Sequence, residues 1–449
     1  MGKHKELILI ISLLIGTFLV PINSTMIAVA LSTISAHFNE PLASISWVVT
    51  IYLIVMAVTQ PIAGKLGDLY GNRNIYLWGV VFFLIASLGC IFSTNLISLI
   101  IFRSLQAVGG ALLTPNTIAI IRYVVPKERL PKVLGIFGMG MGLGAAIGPL
   151  LGSVLLENFN LEAIFWVNVP FLFLALISGI VMIPKFNVKK QASTLDIQGS
   201  IYLAISISLL ILLTHGMEFT KALIMGIIFI LSTILFIKRE NTAENPIIDF
   251  SLFKNSTFTS ANLSIMLSNF VMYVILLIMP LLMKSQFHLS TAQTGLVLSV
   301  FSISMSLSGW IGGLLNNKFS SKKVIGFSFA MIIVSNILFL SLENIGSIIF
   351  LIVALIIGGF STGIGLTSMQ VASLDSVSKE QSGTASGIYS TFRYFGSIIS
   401  STLIALVTSY NYIFIILGIS GIVGILLVAR SIKSSSQDVI SSNNSRAKA

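Results

Sequence analysis

Residues 64–74 read GKLGDLYGNRN, a polar, glycine-rich run set between the apolar runs 44–63 and 75–94. Each flanking run has about the 20 residues a helix needs to cross a ~30 Å hydrocarbon layer. Gly64, Gly67 and Gly71 permit a tight helix–turn–helix, with Asp68 and Arg73 at its edge. A carboxylate in that place is suited to accept hydrogen bonds from a neighbouring helix N-terminus, where the macrodipole favours an anion. Arg73 is expected to pair with it. Gly64, Asp68, Gly71 and Arg73 therefore read as a conformational latch. The plainer alternative is a solvated turn whose charges only set topology.

The pattern recurs. Farther along, by 245 positions, GWIGGLLNNKF (309–319) also ends one apolar run and opens the loop to the next. Gly64, Gly67, Leu69, Asn72 and Arg73 match Gly309, Gly312, Leu314, Asn317 and Lys318, while Gly313 stands opposite Asp68. GIFGMGMGLG (135–144) aligns loosely with GIYSTFRYFG (387–396). Internal repeats are a habit of transporter folds. Fourteen apolar runs are read in all, among them 7–31, 197–214 and 386–408. The predicted organisation is all-α: a six-helix bundle over 1–190, an inserted pair over 191–240, a second six-helix bundle over 241–430, and a polar, disordered tail over 431–449.

Composition agrees. Of 449 residues 55% are hydrophobic and 9% charged, against roughly 25% charged in soluble domains, and the mean hydropathy is +0.99. This is a polytopic membrane protein in contact with the lipid bilayer. The net charge of +11 does not point to nucleic acid. With a cytoplasmic N-terminus, all but four of the 26 Lys and Arg fall on inside segments. The exceptions are Lys221 and Lys284 in outside loops and Arg103 and Arg393 within spans. That is the positive-inside bias, and it predicts a plasma-membrane protein with both termini cytoplasmic. The first run reads as an uncleaved helix, because no small-residue cleavage site follows it.

Enzymatic chemistry finds no constellation here. His4, His37, His215 and His288 are far apart, no acid pair lies within the spans, and Cys90 is the single cysteine. No metal, no cofactor and no catalytic residues are expected.

Three apolar runs carry polar or small residues in a pattern. In LIIFRSLQAVGGALLTPNTIAII, Arg103, Gln106, Gly110, Thr114 and Thr117 recur at three- or four-residue spacing and share one helical face. A guanidinium cannot be deprotonated, and in the membrane it costs at least ~2.5 kcal/mol unless paired or wet. Snorkelling to the headgroups is the plainer reading of Arg103. In GIFGMGMGLGAAIGPLLGSVL, Gly140, Gly144, Gly148 and Gly152 form overlapping GxxxG units that let helix backbones approach closely, and Pro149 adds a kink site. In FLVPINSTMIAVALSTI, Pro21, Asn23, Ser24 and Thr25 cluster at mid-depth. Polar groups at that depth face a protein interior or a wet cavity. Gly16, Asn23 and Ala30 share a face, which turns Asn23 toward a central cavity.

These motifs together resemble the major facilitator superfamily, and within it the fourteen-helix drug:proton antiporters. Lys65-Leu66-Gly67-Asp68 with Gly71-Asn72-Arg73 is similar to the family's loop motif between helices 2 and 3, with Gly67 for its Ala. Arg103, Gln106 and Gly110 resemble the helix-4 motif associated with proton coupling, with Ala107 for one Gly. Gly140 followed by Gly148-Pro149 and Gly152 resembles the antiporter motif of exporters. Thr25, Ala30 and Leu31 match the helix-1 motif, but Asn23 stands at its Asp and Ser32 at its Pro. IFWVNVP (164–170) and SGIYSTFRYFG (386–396) extend the likeness over nearly the whole chain.

The resemblance implies a proton-coupled efflux antiporter that exports lipophilic or cationic drugs and dyes by alternating access, with protons as its driving partner. A narrower exporter such as a tetracycline pump, or a nutrient symporter, is the alternative. The expected coupling residues are Asn23, Arg103, Gln106 and Glu157. Asn269, Met272, Tyr273, Tyr389, Arg393 and Tyr394 are expected to line the substrate cavity. Asn cannot titrate, so Asn23 would mimic a protonated Asp. Either residue 23 is a replacement of the family's Asp, or coupling runs through Glu157 and water.

Overall fold

A computed structural model of the chain describes residues 3–185, 195–213, 218–407 and 409–431, all helix, turn or loop, with no strand among them. His215, the boundary expected at 190, and the tail from 432 onward lie outside the described residues. The helices run in chain order α1 (Lys3–Val29), α2 (Leu31–Phe38), α3 (Leu42–Ile45), α4 (Trp47–Tyr70), α5 (Asn72–Ile91), α6 (Leu96–Val124) and α7 (Leu130–Asn158). Then follow α8 (Ala163–Trp166), α9 (Asn168–Met182), α10 (Ile197–Leu213), α11 (Phe219–Thr242), α12 (Ser256–Gln286) and α13 (Thr291–Lys318). The last are α14 (Ser321–Leu340), α15 (Leu342–Ile345), α16 (Ile348–Ile364), α17 (Leu366–Asp375), α18 (Ser382–Leu406) and α19 (Tyr410–Ser431).

Twelve spans among the described residues are long and apolar enough to cross a membrane, which corrects the expected fourteen. The run at 197–214 forms α10, of which 17 residues are described, a reach of ~25 Å at 1.5 Å per residue. The run at 386–408 forms most of α18, which is long enough but too polar, with Ser390, Thr391, Arg393, Ser397, Ser400, Ser401 and Thr402 along it. Lipid-type exposure is plain on α11, where Leu223, Ile227, Ile230 and Leu231 are each more than half exposed. Apolar side chains turned outward on a helix are what a hydrocarbon solvent permits and water penalises.

The described chain clusters into two compact units. Unit 1 comprises Met1–Val125, Gly140–Phe250 and Ser378–Thr391; unit 2 comprises Pro126–Met139, Ser251–Val377 and Phe392–Ala449. In unit 1, α5 and α6 meet backbone to backbone at Gly79 and Gly109. A Cβ on Gly79 would lie 3.0 Å from the Gly109 carbonyl oxygen, and one on Gly109 would lie 2.9 Å from that of Gly79. Gly71, at φ 94 and ψ 121, turns the chain between α4 and α5 in a conformation that side chains rarely adopt. In unit 2, a Cβ on Gly312 of α13 would strike the Ile364 carbonyl, and one on Gly363 of α16 would strike that of Met305.

The repeated motif packs in the same way in each unit. Within unit 1, Gly64 faces the backbone of Gly383, in the first turn of α18. Within unit 2, Gly313 faces the backbone of Pro131 and Gly135, in the first turns of α7.

The glycine stripe of α7 seats on α1, within unit 1. Gly140 lies against Phe18, Gly144 against Pro21 and the Phe18 carbonyl, Gly148 against the Ile22 carbonyl, and Gly152 against Met26. The stripe thus packs on the turn of α1 that bears Asn23. A Cβ at Gly148 would sit 2.8 Å from the Ile22 oxygen and 3.2 Å from the Met26 nitrogen, backbone atoms that have no rotamer with which to yield. Gly226 on α11 has nothing within 4 Å of an added Cβ. Gly148→Val is therefore expected to destabilise by about 1–3 kcal/mol or more through overpacking, while Gly226→Ala, unobstructed and mid-helix, loses nothing and gains up to ~1 kcal/mol of helix propensity. Thermal unfolding of the two purified variants checks this contrast.

Candidate functional site

The site grows from α1 and α6. Thr17 meets Thr117, hydroxyl to hydroxyl, at 2.8 Å, and six positions later Asn23 meets Arg103. The contacts advance along α1 as they retreat along α6, so the two helices are antiparallel. All four side chains are fully buried. The Thr17 hydroxyl donates to the Leu13 carbonyl at 2.9 Å or shares its proton with Thr117, and Thr25 donates to the Pro21 carbonyl at 3.0 Å. Polar side chains here answer to the helix's own backbone and to α6, which is how polar groups survive inside an apolar bundle.

Arg103 is sealed inside rather than snorkelling. Its Nη1 donates to Asn23 Oδ1 and, at 2.6 Å, to Gln106 Oε1, while Nε reaches the Val48 carbonyl at 3.5 Å. The guanidinium carbon lies 4.2 Å from the centre of the Tyr52 ring, a cation–π distance. Gln106 Nε2 donates to Ser87 Oγ at 2.9 Å, which fixes the amide so that its oxygen faces Arg103. Tyr52 donates to the Val20 carbonyl at 3.4 Å. Among the described residues no carboxylate touches Arg103. A buried charge without a counter-ion costs several kcal/mol even after relaxation, and here only amide dipoles and one ring oppose that cost. Two donors in the cluster stay without partners, Arg103 Nη2 and Asn23 Nδ2.

Glu157 does not join this cluster; it is exposed beside the C-terminus of α7. The residues expected to line a cavity are divided. Tyr389 belongs to unit 1, and Asn269, Met272, Tyr273, Arg393 and Tyr394 belong to unit 2. Asn269 and Met272 are buried, and Asn269 donates to its own helix at the Ile265 carbonyl, 3.1 Å. Tyr273, Arg393 and Tyr394 are half-buried.

At the other end of α4, Asp68 accepts backbone hydrogen bonds from Gly383 at 2.8 Å and Thr384 at 2.7 Å. Both amides lie in the first turn of α18, whose dipole favours the carboxylate. Arg73 does not pair with Asp68, as the sequence suggested. It donates to the carbonyls of Ile183 and Ile180, both at 2.9 Å, where the orphan acceptors at the end of α9 attract a cation. Arg122 of α6 takes a supporting place at the start of α18, donating to the Ser378 carbonyl at 2.9 Å and to Ser382 Oγ at 2.8 Å.

Sequence reasoning missed several of these residues. Asn116 links the glycine-rich turn to α6, accepting from Asn72 at 3.1 Å and donating to the Ala63 carbonyl at 3.1 Å. A Cβ on Gly67 would collide with it. Its signal was available, an amide in the apolar run beside Pro115. Tyr52 and Ser87 lie on two other helices and carry no local mark of their role.

Residues 13–243 and 261–447 match the family model described as Major Facilitator Superfamily. The chain belongs to that superfamily and is a membrane-embedded, multi-pass transporter of small molecules. It is 57% identical to the uncharacterized MFS-type transporter YvkA of Bacillus subtilis (strain 168), over 99% of this chain and 100% of that one. It is 31% identical to the riboflavin transporter RibZ of Clostridioides difficile (strain 630), over 91% and 90%. It is 28% identical to multidrug resistance protein 3 of Bacillus subtilis (strain 168), over 88% and 78%. Among solved structures, the MFS proton:xylose symporter XylE superposes with a TM-score of 0.69 at 12% identity, covering 97% of each chain, a likeness of fold.

Asp68→Asn keeps one acceptor oxygen and turns an amide N–H₂ toward a backbone N–H. Faster hydrogen exchange is expected at the Gly383 and Thr384 amides, by ~10-fold for each ~1.4 kcal/mol of lost hydrogen bonding. Mass spectrometry of peptides spanning α18 measures it.

Proposed function

We propose that this transporter is a proton-coupled exporter of the drug:proton antiporter branch, moving lipophilic or cationic drugs and dyes out of the cell by alternating access. The observation that carries this reading is the seat of the Gly140–Gly152 stripe on the turn of α1 that holds Asn23 against Arg103. It joins the exporter-type glycine motif to the residues expected to couple transport. The 28% identity with multidrug resistance protein 3 supports the substrate class. The 31% identity with riboflavin transporter RibZ favours a second reading, transport of a small nutrient.

In this reading Asn23, Arg103 and Gln106 form the coupling set, and Glu157 is the alternative carboxylate. Gly64, Asp68, Gly71 and Arg73 hold the latch, with Asp68 releasing the first turn of α18 when the transporter changes state. Gly140, Gly144, Gly148, Pro149 and Gly152 form the exporter motif. Asn269, Met272, Tyr273, Tyr389, Arg393 and Tyr394 contact substrate in the course of the cycle. The chain divides functionally into 1–190, 191–240 and 241–430, with a tail over 431–449, and sits in the plasma membrane with both termini cytoplasmic. A proton gradient supplies about 1.36 kcal/mol per pH unit, so no further cofactor is needed.

Proteoliposomes under an imposed pH gradient test the proposal, comparing this chain with Asn23→Asp. Ethidium accumulation against its gradient by the Asp form, with only downhill exchange by the Asn form, is the expected result. Equal pumping by both moves the coupling carboxylate elsewhere and makes Glu157→Gln the next variant. Riboflavin movement without ethidium movement overturns the drug reading in favour of the nutrient one.

A further inference from the structure

The donors and acceptors around Arg103 do not balance. On the donor side stand the guanidinium and the two amide N–H₂ groups of Asn23 and Gln106, all fully buried, with Ser87 Oγ accepting from Gln106. The acceptors that meet the guanidinium are Asn23 Oδ1, Gln106 Oε1 and the Val48 carbonyl. Arg103 Nη2 and Asn23 Nδ2 are left over. Both orphans belong to the two groups joined by the Arg103–Asn23 hydrogen bond. The Tyr52 ring covers the guanidinium, 4.2 Å from its carbon. Water would satisfy the N–H groups but leave the positive charge uncompensated, and Arg cannot shed its proton. An anion meets both needs at once, since charge-assisted hydrogen bonds from a guanidinium and an adjacent amide are the usual means of holding one.

We infer that Arg103 Nη2 and Asn23 Nδ2 form a binding site for a monovalent anion, either an inorganic halide or the carboxylate of a transported molecule. The asparagine is then a donor that completes the site, and the anion does the electrostatic work that an acid at position 23 would do. This goes beyond the export reading, because occupancy is measured without transport and stands or falls independently of direction and drug range.

The test is thermal unfolding of the purified full chain at fixed ionic strength, with sodium isethionate as background replaced stepwise by chloride or, separately, by benzoate. A saturable rise in Tm is expected in this chain. It is lost in Asn23→Asp, whose own carboxylate takes the anion's place next to Arg103, and in Arg103→Gln. Because Asn23→Asp is nearly isosteric, it serves as the folded control should Arg103→Gln fail to fold. Saturation by chloride alone assigns the site to an inorganic ion. Saturation by benzoate assigns it to a carboxylate carried by the transported molecule. No saturable response in this chain, or an equal one in Asn23→Asp, overturns the inference.

Discussion

The guanidinium of Arg103 lies fully buried among the helices of unit 1, held by two amide oxygens and a backbone carbonyl and by no carboxylate. A cation in that position constrains everything around it. Gln106 must turn its oxygen inward, which it does by giving its N–H to Ser87. Asn23 must do likewise, which requires α1 to run close to α6. That approach in turn relies on the far side of α1, where Gly140, Gly144, Gly148 and Gly152 of α7 let the helix settle without side chains in between. The polar cluster and the glycine stripe thus act on opposite sides of one turn of α1. In the function we propose, that shared turn is where a change at the coupling residues meets the packing of α7.

Asp68 works by a different rule. Its two oxygens hold the first two free amides of α18, and Arg122 holds the residues just before them. These bonds are strong individually, because a charged acceptor meets aligned donors, yet few in number. In the latch we propose, such a contact holds while formed and breaks as a unit.

Much of this was legible in the sequence, because a membrane leaves few choices. Long apolar runs must be helices, and Asp68 beside Gly64 and Gly67 at the end of one such run already suggested a carboxylate facing a helix N-terminus. The polar face of α6 was equally plain from the spacing of Arg103, Gln106 and Thr117. What stayed hidden depended on which helix lies next to which. Arg73 carries the same local signal whether it pairs with Asp68 or with the end of α9, and only packing chose the carbonyls of Ile180 and Ile183. Tyr52 and Ser87 have no sequence link to Arg103. By hydrophobic run alone, 197–214 and 386–408 look like the other twelve, but the described part of α10 is short and α18 is too polar to stand with them.

Arg103 sits in the fold as a buried charge with no internal counter-ion among the described residues. The most direct measurement is the Tm of this chain against that of Asn23→Asp, both in isethionate alone at neutral pH. Buried ion pairs broken on one side cost about 3–5 kcal/mol, so restoring the missing partner raises stability, and the Asp form melts at the higher temperature. A lower Tm for the Asp form would mean that the cation is already compensated and that the account of the site is wrong.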